Sequence, residues 1–490
     1  MKPLNRTTSS TTLKAPERIM QFGGGNFLRA FADWIIDVLN KETDFNGSIV
    51  IIKPTEKGDY TALKEQDGLF HVAIDGVRKD TLVSEVTLVK SISRVIQPYT
   101  HWNEYLSLAE DPEMRFIISN TTEAGIKFSE SDTFQDAPPK EFPAKLTIWL
   151  YHRFQHFEGA IDKGCIILPC ELIEQNGDTL RAAVLQYAAH WNLGTKFTSW
   201  IKESNYFYNT LVDRIVSGYP KERSKTILEK IGYEDSLLVA GEDYHSWVIQ
   251  GNQIIQKELP FEHTSLNVKF VDDIKTYREM KVRILNGAHT SMVPVGYLSG
   301  LRTVKEVMDD PLTNQFVSEI LSEEITKTLQ DFSTSELNDF VNTTLDRFRN
   351  PTLKHFLISI SLNSTSKFVS RLLPALKEYT VTYNELPKRI VFALSCVFRF
   401  YQGVYDGETI PLNDDPVALA SFKKQWKLHL TETITYQQMV SFLLRDIAIW
   451  GENLDAINGL SEAVTENLRA IEQHGVRSVI KQITDHKFLV

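Results

Sequence analysis

The stretch RIMQFGGGNFLRAFADWIIDVLN, Arg18 to Asn40, changes its hydrophobic period in the middle. Ile19, Met20 and Phe22 form a short apolar run of the kind a buried strand shows. Phe27, Leu28, Phe31, Trp34, Ile35, Val38 and Leu39 then recur at helical spacing. Between the two stand Gly23, Gly24 and Gly25. Gly23 permits a tight turn, and Gly25 lets a diphosphate come close to the backbone. The helix that follows offers unpaired N–H groups and the positive end of its dipole. The stretch therefore predicts the opening of a Rossmann-type fold, with a dinucleotide cradle around Gly23, Gly25 and Arg29. A plain helix-start turn would use the same glycines, and Leu28 stands where a third small residue is usual. Arg29 suits either a phosphate or a nearby carboxylate.

Outward from this turn the rhythm is that of an α/β domain with a mostly parallel sheet. GSIVIIKP, LFHVAID, DTLVSEVTLVKSI, MRFIISNTTEAGI and GCIILPCELIEQNG read as strands, and AKLTIWLYHRF as a helix. Asn120, Thr121 and Thr122 close one strand, where a parallel sheet places its cofactor crevice; ordinary strand-ending polar residues would look the same. The second strand ends in Lys53 and Pro54, with Glu56 and Asp59 just beyond. Local chemistry there leaves NAD against NADP open, and a surface lysine is the ordinary reading of Lys53. After about residue 275 helical periodicity dominates, as in FVSEILSEEITKTLQ and LPKRIVFALSCVFRFYQG. The expected organisation is a Rossmann-type α/β N-terminal domain over 1–275, followed by a mainly α-helical C-terminal domain over 276–490.

At 490 residues the chain is too long for one ordinary domain. A formal net charge of -10 and the absence of a basic stripe argue against a nucleic-acid partner, while a few local cations still suffice for an anionic small molecule. Three cysteines, Cys165, Cys170 and Cys396, make no disulfide framework, and the two in GCIILPCEL read as buried inert thiols. No apolar run is long enough to span a membrane, and the leader has no apolar core. A cytoplasmic protein with no membrane partner is expected; no oligomeric state is written in the sequence.

Three segments carry chemistry. In NTLVDRIV, Asp213 and Arg214 lie between apolar neighbours, where charge is tolerated only when paired. In KVRILNGAHT, Lys281, Asn286 and His289 fall within about 140° of one helical face at about 100° per residue. A lysine with a depressed pKa can take a proton from a hydroxyl, and asparagine and histidine can hold the oxygen. The bland reading is an exposed lysine and a helix broken at Asn286-Gly287. In SLNSTSKF, Lys367 follows a small polar run.

Taken together these segments resemble the mannitol dehydrogenase family of long-chain polyol-specific dehydrogenases. FGGGNFLRAF resembles its G-x-G-x-F-x-R-A turn, YNTLVDRIV its N-S-x-V-D-R-I signature, and KVRILNGAH its K-x-x-x-x-N-x-x-H segment. DRFRNPTLKHFLISISLNSTSKF resembles the later region that supplies a substrate-binding lysine. The resemblance implies NAD as cofactor, with Asn26 and Phe27 of the glycine turn, and Asn120, Thr121 and Asp213, joining Gly23, Gly25 and Arg29 around it. It implies no metal, Lys281 as general acid/base, Asn286 and His289 on the reacting oxygen, and Lys367 on the substrate. Polyol-oxidising members carry C-D-N where this chain has PCELIEQNG, with Leu172 at the asparagine position. That departure, with GEDYHSWVI, resembles the hexuronate branch and implies a small-molecule sugar-acid substrate. Lys367, Arg283 and Arg347 are candidates for its carboxylate. Another sugar-acid oxidoreductase of the same branch, differing in stereochemistry, is the nearest competing expectation; a polyol dehydrogenase of the same family and a non-catalytic nucleotide-binding protein follow.

Overall fold

Successive side chains of a strand point to opposite faces, and the buried strands here serve two cores at once. Of β1 (Glu17–Phe22), Ile19 packs in one core, while Met20 and Phe22 pack in another. β2 (Ser48–Ile52) divides the same way, with Ile49 and Ile51 against Val50 and Ile52. β4 (Phe116–Ser119) and β5 (Ile166–Pro169) are also buried throughout. A sheet covered on both faces requires such unbroken apolar runs. With β3 (Ile92–Ile96) and β6 (Tyr206–Phe207) these strands form one sheet in the order β3-β2-β1-β4-β5-β6, every neighbouring pair parallel. This is the doubly wound order, in which the chain reverses direction across the sheet beside β1.

This computed structural model describes residues 1–12, 15–78, 81–121, 125–352 and 355–484. The chain divides into two units, Met1–Gly76 with Leu82–Ile274, and Val77–Thr81 with Lys275–Val490. In the first, Phe31, Trp34, Ile35 and Leu39 cover one face of the sheet. α1 (Phe142–His156) covers the other through Phe142, Leu146, Trp149 and Leu150. A three-stranded sheet of Thr210–Asp213, Ser246–Gln250 and Val268–Val271 extends this unit. The second unit is helical around one large core. There α5 (Lys388–Phe400), buried along nearly its whole length, lies among α2 (Gly287–Leu298) and α6 (Leu460–His474). A Rossmann-type α/β unit followed by a mainly helical one is the fold the sequence predicts. The long apolar segment after residue 350 is not one helix: it breaks into Leu357–Ile360, Ser364–Arg371 and Leu373–Tyr383, with Asn363 in the left-handed region at φ 55°. Among the described residues no helix is long and apolar enough to cross a membrane. All three cysteines are free and buried.

Arg153, near the end of α1, is buried and anchors two connecting segments at once. Its Nε donates to Lys163 O at 2.7 Å, Nη1 to Ala109 O at 3.0 Å and Asp111 O at 2.9 Å, and Nη2 to Met114 O at 2.8 Å. Arg153→Met keeps the apolar stem but leaves these carbonyls without donors. Urea unfolding should show a loss of about 3 kcal/mol or more; a change within about 0.5 kcal/mol would mean that the loops are held by something else.

Candidate active site

β1 delivers the chain to Gly23, whose φ of 112° only glycine adopts without strain. A Cβ at Gly23 would lie 3.2 Å from Leu28 Cδ1, so the leucine in place of a third small residue packs directly beneath the turn. Gly24 lies against the side chains of Tyr60 and Leu63, and its N–H donates to the Tyr60 hydroxyl at 3.1 Å. Gly25 has open space where a Cβ would stand. The helical turn Asn26–Leu28 that follows it has no side-chain cap. Free N–H groups at an uncapped turn are where an anion is held most readily.

The next turn, Arg29–Asp33, is wide, closing on the fifth residue rather than the fourth. Arg29 Nη2 donates to Asn26 Oδ1 at 2.6 Å, Nη1 donates to Leu237 O, and the guanidinium lies 5.5 Å from the Phe70 ring centre. Its hydrogen bonds thus go to an amide and a main-chain carbonyl, and it orients Asn26 at the mouth of the cradle. Arg214, also buried, crosses to the wide turn: Nη1 donates to Ala30 O at 2.7 Å, Nε to Glu242 O at 2.8 Å, and the guanidinium lies 4.3 Å over Trp34. Asp213, half-buried, ends the neighbouring strand opposite Ser246.

At the carboxyl ends of β4 and β5, Glu171 collects the polar groups. It accepts from Ser119 Oγ at 3.0 Å and from Thr121 N and Oγ1 at 2.9 and 3.0 Å. Burial raises its carboxyl above the usual range in spite of these donors. Asn120 sits beside Gly23, its carbonyl 3.6 Å from where a Cβ would be. Thr122 lies outside the described residues. Leu172 is 61% exposed. Asn176 is buried and fully used, donating to Pro169, Glu171 and Thr210 carbonyls and accepting from Thr210 N and Gly177 N. Lys53 is not a surface lysine: it is buried, and its Nζ donates to Glu56 O at 2.8 Å, closing the loop after β2.

In the second unit Lys281–Asn286 is again a wide turn, running without a break into α2. The expected break at Asn286-Gly287 is absent because Gly287 stays helical, with Leu372, Ile325 and Arg371 O packed close around it. Hydrogen bonding from i to i+5 puts Lys281 and Asn286 one wide turn apart. Their side chains therefore come closer to one line than the arc of a regular helix allows. His289 follows on α2, buried, 4.4 Å from the Phe348 ring and 5.1 Å from His355. Burial lowers the pKa of His355. Lys367 lies on α4 (Ser364–Arg371; α3 is Thr334–Phe348), where its Nζ donates to Ile360 O at 2.8 Å. Arg371, one turn on, reaches Thr290 Oγ1 at 3.2 Å and Asn286 O at 3.5 Å, linking α4 to the Lys281–His289 segment. Arg283 points elsewhere and is committed to Thr328, Glu279 and Glu378, which removes it as a carboxylate ligand. Arg347 is buried. Sequence reasoning passed over His355 and Arg371. Arg371 could have been suspected from its place four residues beyond Lys367 on one helical face. Among the described residues no group of three or more His, Cys, Asp or Glu is placed to hold a metal ion.

Residues 17–263 match the mannitol dehydrogenase Rossmann domain, and residues 273–472 match the mannitol dehydrogenase C-terminal domain. The altronate oxidoreductase of Yersinia enterocolitica serotype O:8 / biotype 1B is 47% identical over 466 residues, 95% of this chain and 96% of its own. That of Escherichia coli O139:H28 is 45% identical over 484 residues, 99% and 100%. Two solved structures share the fold. Mannitol 2-dehydrogenase of Pseudomonas fluorescens, in ternary complex with NAD and D-mannitol, has TM-score 0.68 and 23% identity over 99% of this chain and 100% of its own. A substrate-free D-sorbitol dehydrogenase has TM-score 0.76 and 19% identity over 98% and 100%.

Asp33 closes the wide turn under the glycines. It is fully buried beside Gln21, and among the described residues no well-formed hydrogen bond reaches either carboxyl oxygen. Burial pushes its pKa from 3.8 up to about 7, against smaller opposing effects of Gln21 and Arg29. Between those values the folded chain holds a proton that the unfolded chain has released. Stability from this group is therefore full at low pH and lost as pH rises toward 7. Asp33→Asn, whose amide can donate to the unpartnered Gln21 Oε1, should remove this slope and stabilise the fold above pH 7 by up to about 4 kcal/mol. Denaturation midpoints at about pH 5 and about pH 8.5 test it; a variant with the same pH slope as the parent would show that Asp33 is ionised throughout.

Proposed function

The chain belongs to the mannitol dehydrogenase family, and within that family we propose that it interconverts D-altronate and D-tagaturonate with NAD(H). The observation that carries this reading is the 45–47% identity to altronate oxidoreductases along nearly the whole of both chains. The glycine turn fits the cofactor: Gly25 leaves the backbone open, and the uncapped N–H groups of the Asn26–Leu28 turn would receive the diphosphate, with Asn26 oriented by Arg29. Phe27, Asn120, Thr121 and Asp213 complete the proposed cofactor set, the last three at strand ends. Bound NAD(H) supplies or accepts the hydride.

The chain's own part is to handle a proton and hold an oxygen. In reduction the Lys281 ammonium donates its proton to the carbonyl oxygen of tagaturonate as the hydride arrives at carbon, giving the altronate hydroxyl. In oxidation the neutral Lys281 amine takes the hydroxyl proton as the hydride leaves. The Asn286 amide and the His289 imidazole hydrogen-bond to the same oxygen and stabilise the charge that develops on it. The wide turn supports these roles because it brings Lys281 and Asn286 toward one line. Lys367 contacts the substrate from α4.

NADH oxidation measured with tagaturonate, fructuronate and fructose separates the readings. Tagaturonate should be reduced with the highest kcat/KM. Preference for fructuronate would make the protein a mannonate oxidoreductase, and activity on fructose alone would remove the sugar-acid reading. In the same assay Lys281→Ala should lower kcat by about 10²–10⁴-fold, the range of a lost general acid/base, with NADH affinity little changed. Near-parental turnover across the pH range would refute the proton-transfer role.

A further inference from the structure

A sugar acid differs from a sugar at one place, the carboxylate, and a protein tells the two apart with a cation that has donors to spare. We propose that Arg371 is that cation: its guanidinium, 3.2 Å from Thr290 Oγ1 on the helix that carries His289, binds the carboxylate of the substrate and, with Lys367, selects sugar acids over neutral sugars. This assignment rests on the altronate–tagaturonate reading and extends it to the end of the substrate remote from the ketone.

Two buried arginines of this unit give the contrast. Arg283 meets Glu279 and Glu378, and Arg389 meets Glu319 and Glu324. Among the described residues no carboxylate lies within ion-pairing distance of Arg371. Of its nitrogens only Nη1 is engaged among the described residues, on Thr290 Oγ1 and the Asn286 carbonyl, and Nε and Nη2 are left for a further acceptor. Arg371 is half-buried, and burial alone pulls its pKa below the ordinary arginine value. Lys367, four residues earlier on the same short helix, is pulled down by burial and then by the charge of Arg371. Asp414 offsets this only in part, because its oxygens already accept from Thr365 N and Oγ1 and from the Tyr401 hydroxyl. Two cations held together, with the one nearby carboxylate, Asp414, committed to Thr365 and Tyr401 and none among the described residues ion-paired to Arg371, form a site that a bound carboxylate relieves. Arg371 also touches the carbonyl of Asn286, which fixes the carboxylate end of the substrate relative to the residue that would hold its reacting oxygen.

The test compares tagaturonate with D-tagatose, the neutral ketose in which a hydroxymethyl replaces the carboxylate. In the parent enzyme tagaturonate should be strongly preferred. Arg371→Leu should raise KM for tagaturonate about 10- to 100-fold, the loss of one charge-assisted pair. The ratio of kcat/KM for the two substrates should fall by a similar factor, with NADH affinity retained as a check on folding. Arg371→Lys should recover part of the ratio. A parent that prefers tagaturonate and a leucine variant that keeps this preference would overturn Arg371 alone. Equal losses on both substrates, not relieved by lysine, would make it a structural tie between α4 and α2. A parent with no preference for the acid would overturn the functional reading and the carboxylate site together.

Discussion

A helical turn that closes on its fifth residue is rare, must be held by its surroundings, and often stands where the altered side-chain direction is used. Of the three such turns among the described residues, Ile320–Ile325 included, each unit places one beside its proposed site residues. In the first, Arg29–Asp33 follows the glycine turn, and the Ala30 carbonyl is held by a buried guanidinium arriving from Arg214. In the second, Lys281–Asn286 is clamped by packing around Gly287 and by Arg371 on the Asn286 carbonyl. The wide turn changes which side chains share a line, and the packing around it determines how firmly they stay there.

Much of this was readable from the sequence, and for physical reasons. A switch from strand to helical period across three glycines has few solutions, and Gly23 takes the backbone conformation that requires glycine. The Lys281, Asn286 and His289 spacing marked one face of a helix, which the structure narrows. What stayed hidden depends on long-range partners. Arg283 and Arg371 look alike as letters; the arrival of Glu378 from another helix, added to Glu279 four residues earlier, commits Arg283 to a structural ion pair. Lys53 seemed a surface lysine because its acceptor is a main-chain carbonyl, which no sequence displays. Asn176, in the stretch that departs from the polyol-oxidising pattern, proved to be a staple for three carbonyls rather than a group free for substrate.

The two units also meet their buried cations differently. In the first, the buried guanidiniums of Arg153 and Arg214 are met by main-chain oxygens. In the second, the buried guanidiniums of Arg283 and Arg389 find carboxylates, while the half-buried Arg371, beside the proposed chemistry, has none within ion-pairing distance among the described residues.

The cysteines lead somewhere else. Cys165, Cys170 and Cys396 are all buried, and burial pushes each thiol pKa upward, so little reactive thiolate forms and little of it is reachable. The native protein should therefore be nearly silent toward alkylating and oxidising reagents. A single cysteine introduced at a solvent-facing position would then be the one thiol that takes a label, giving a clean background for attaching probes without first removing any natural residue.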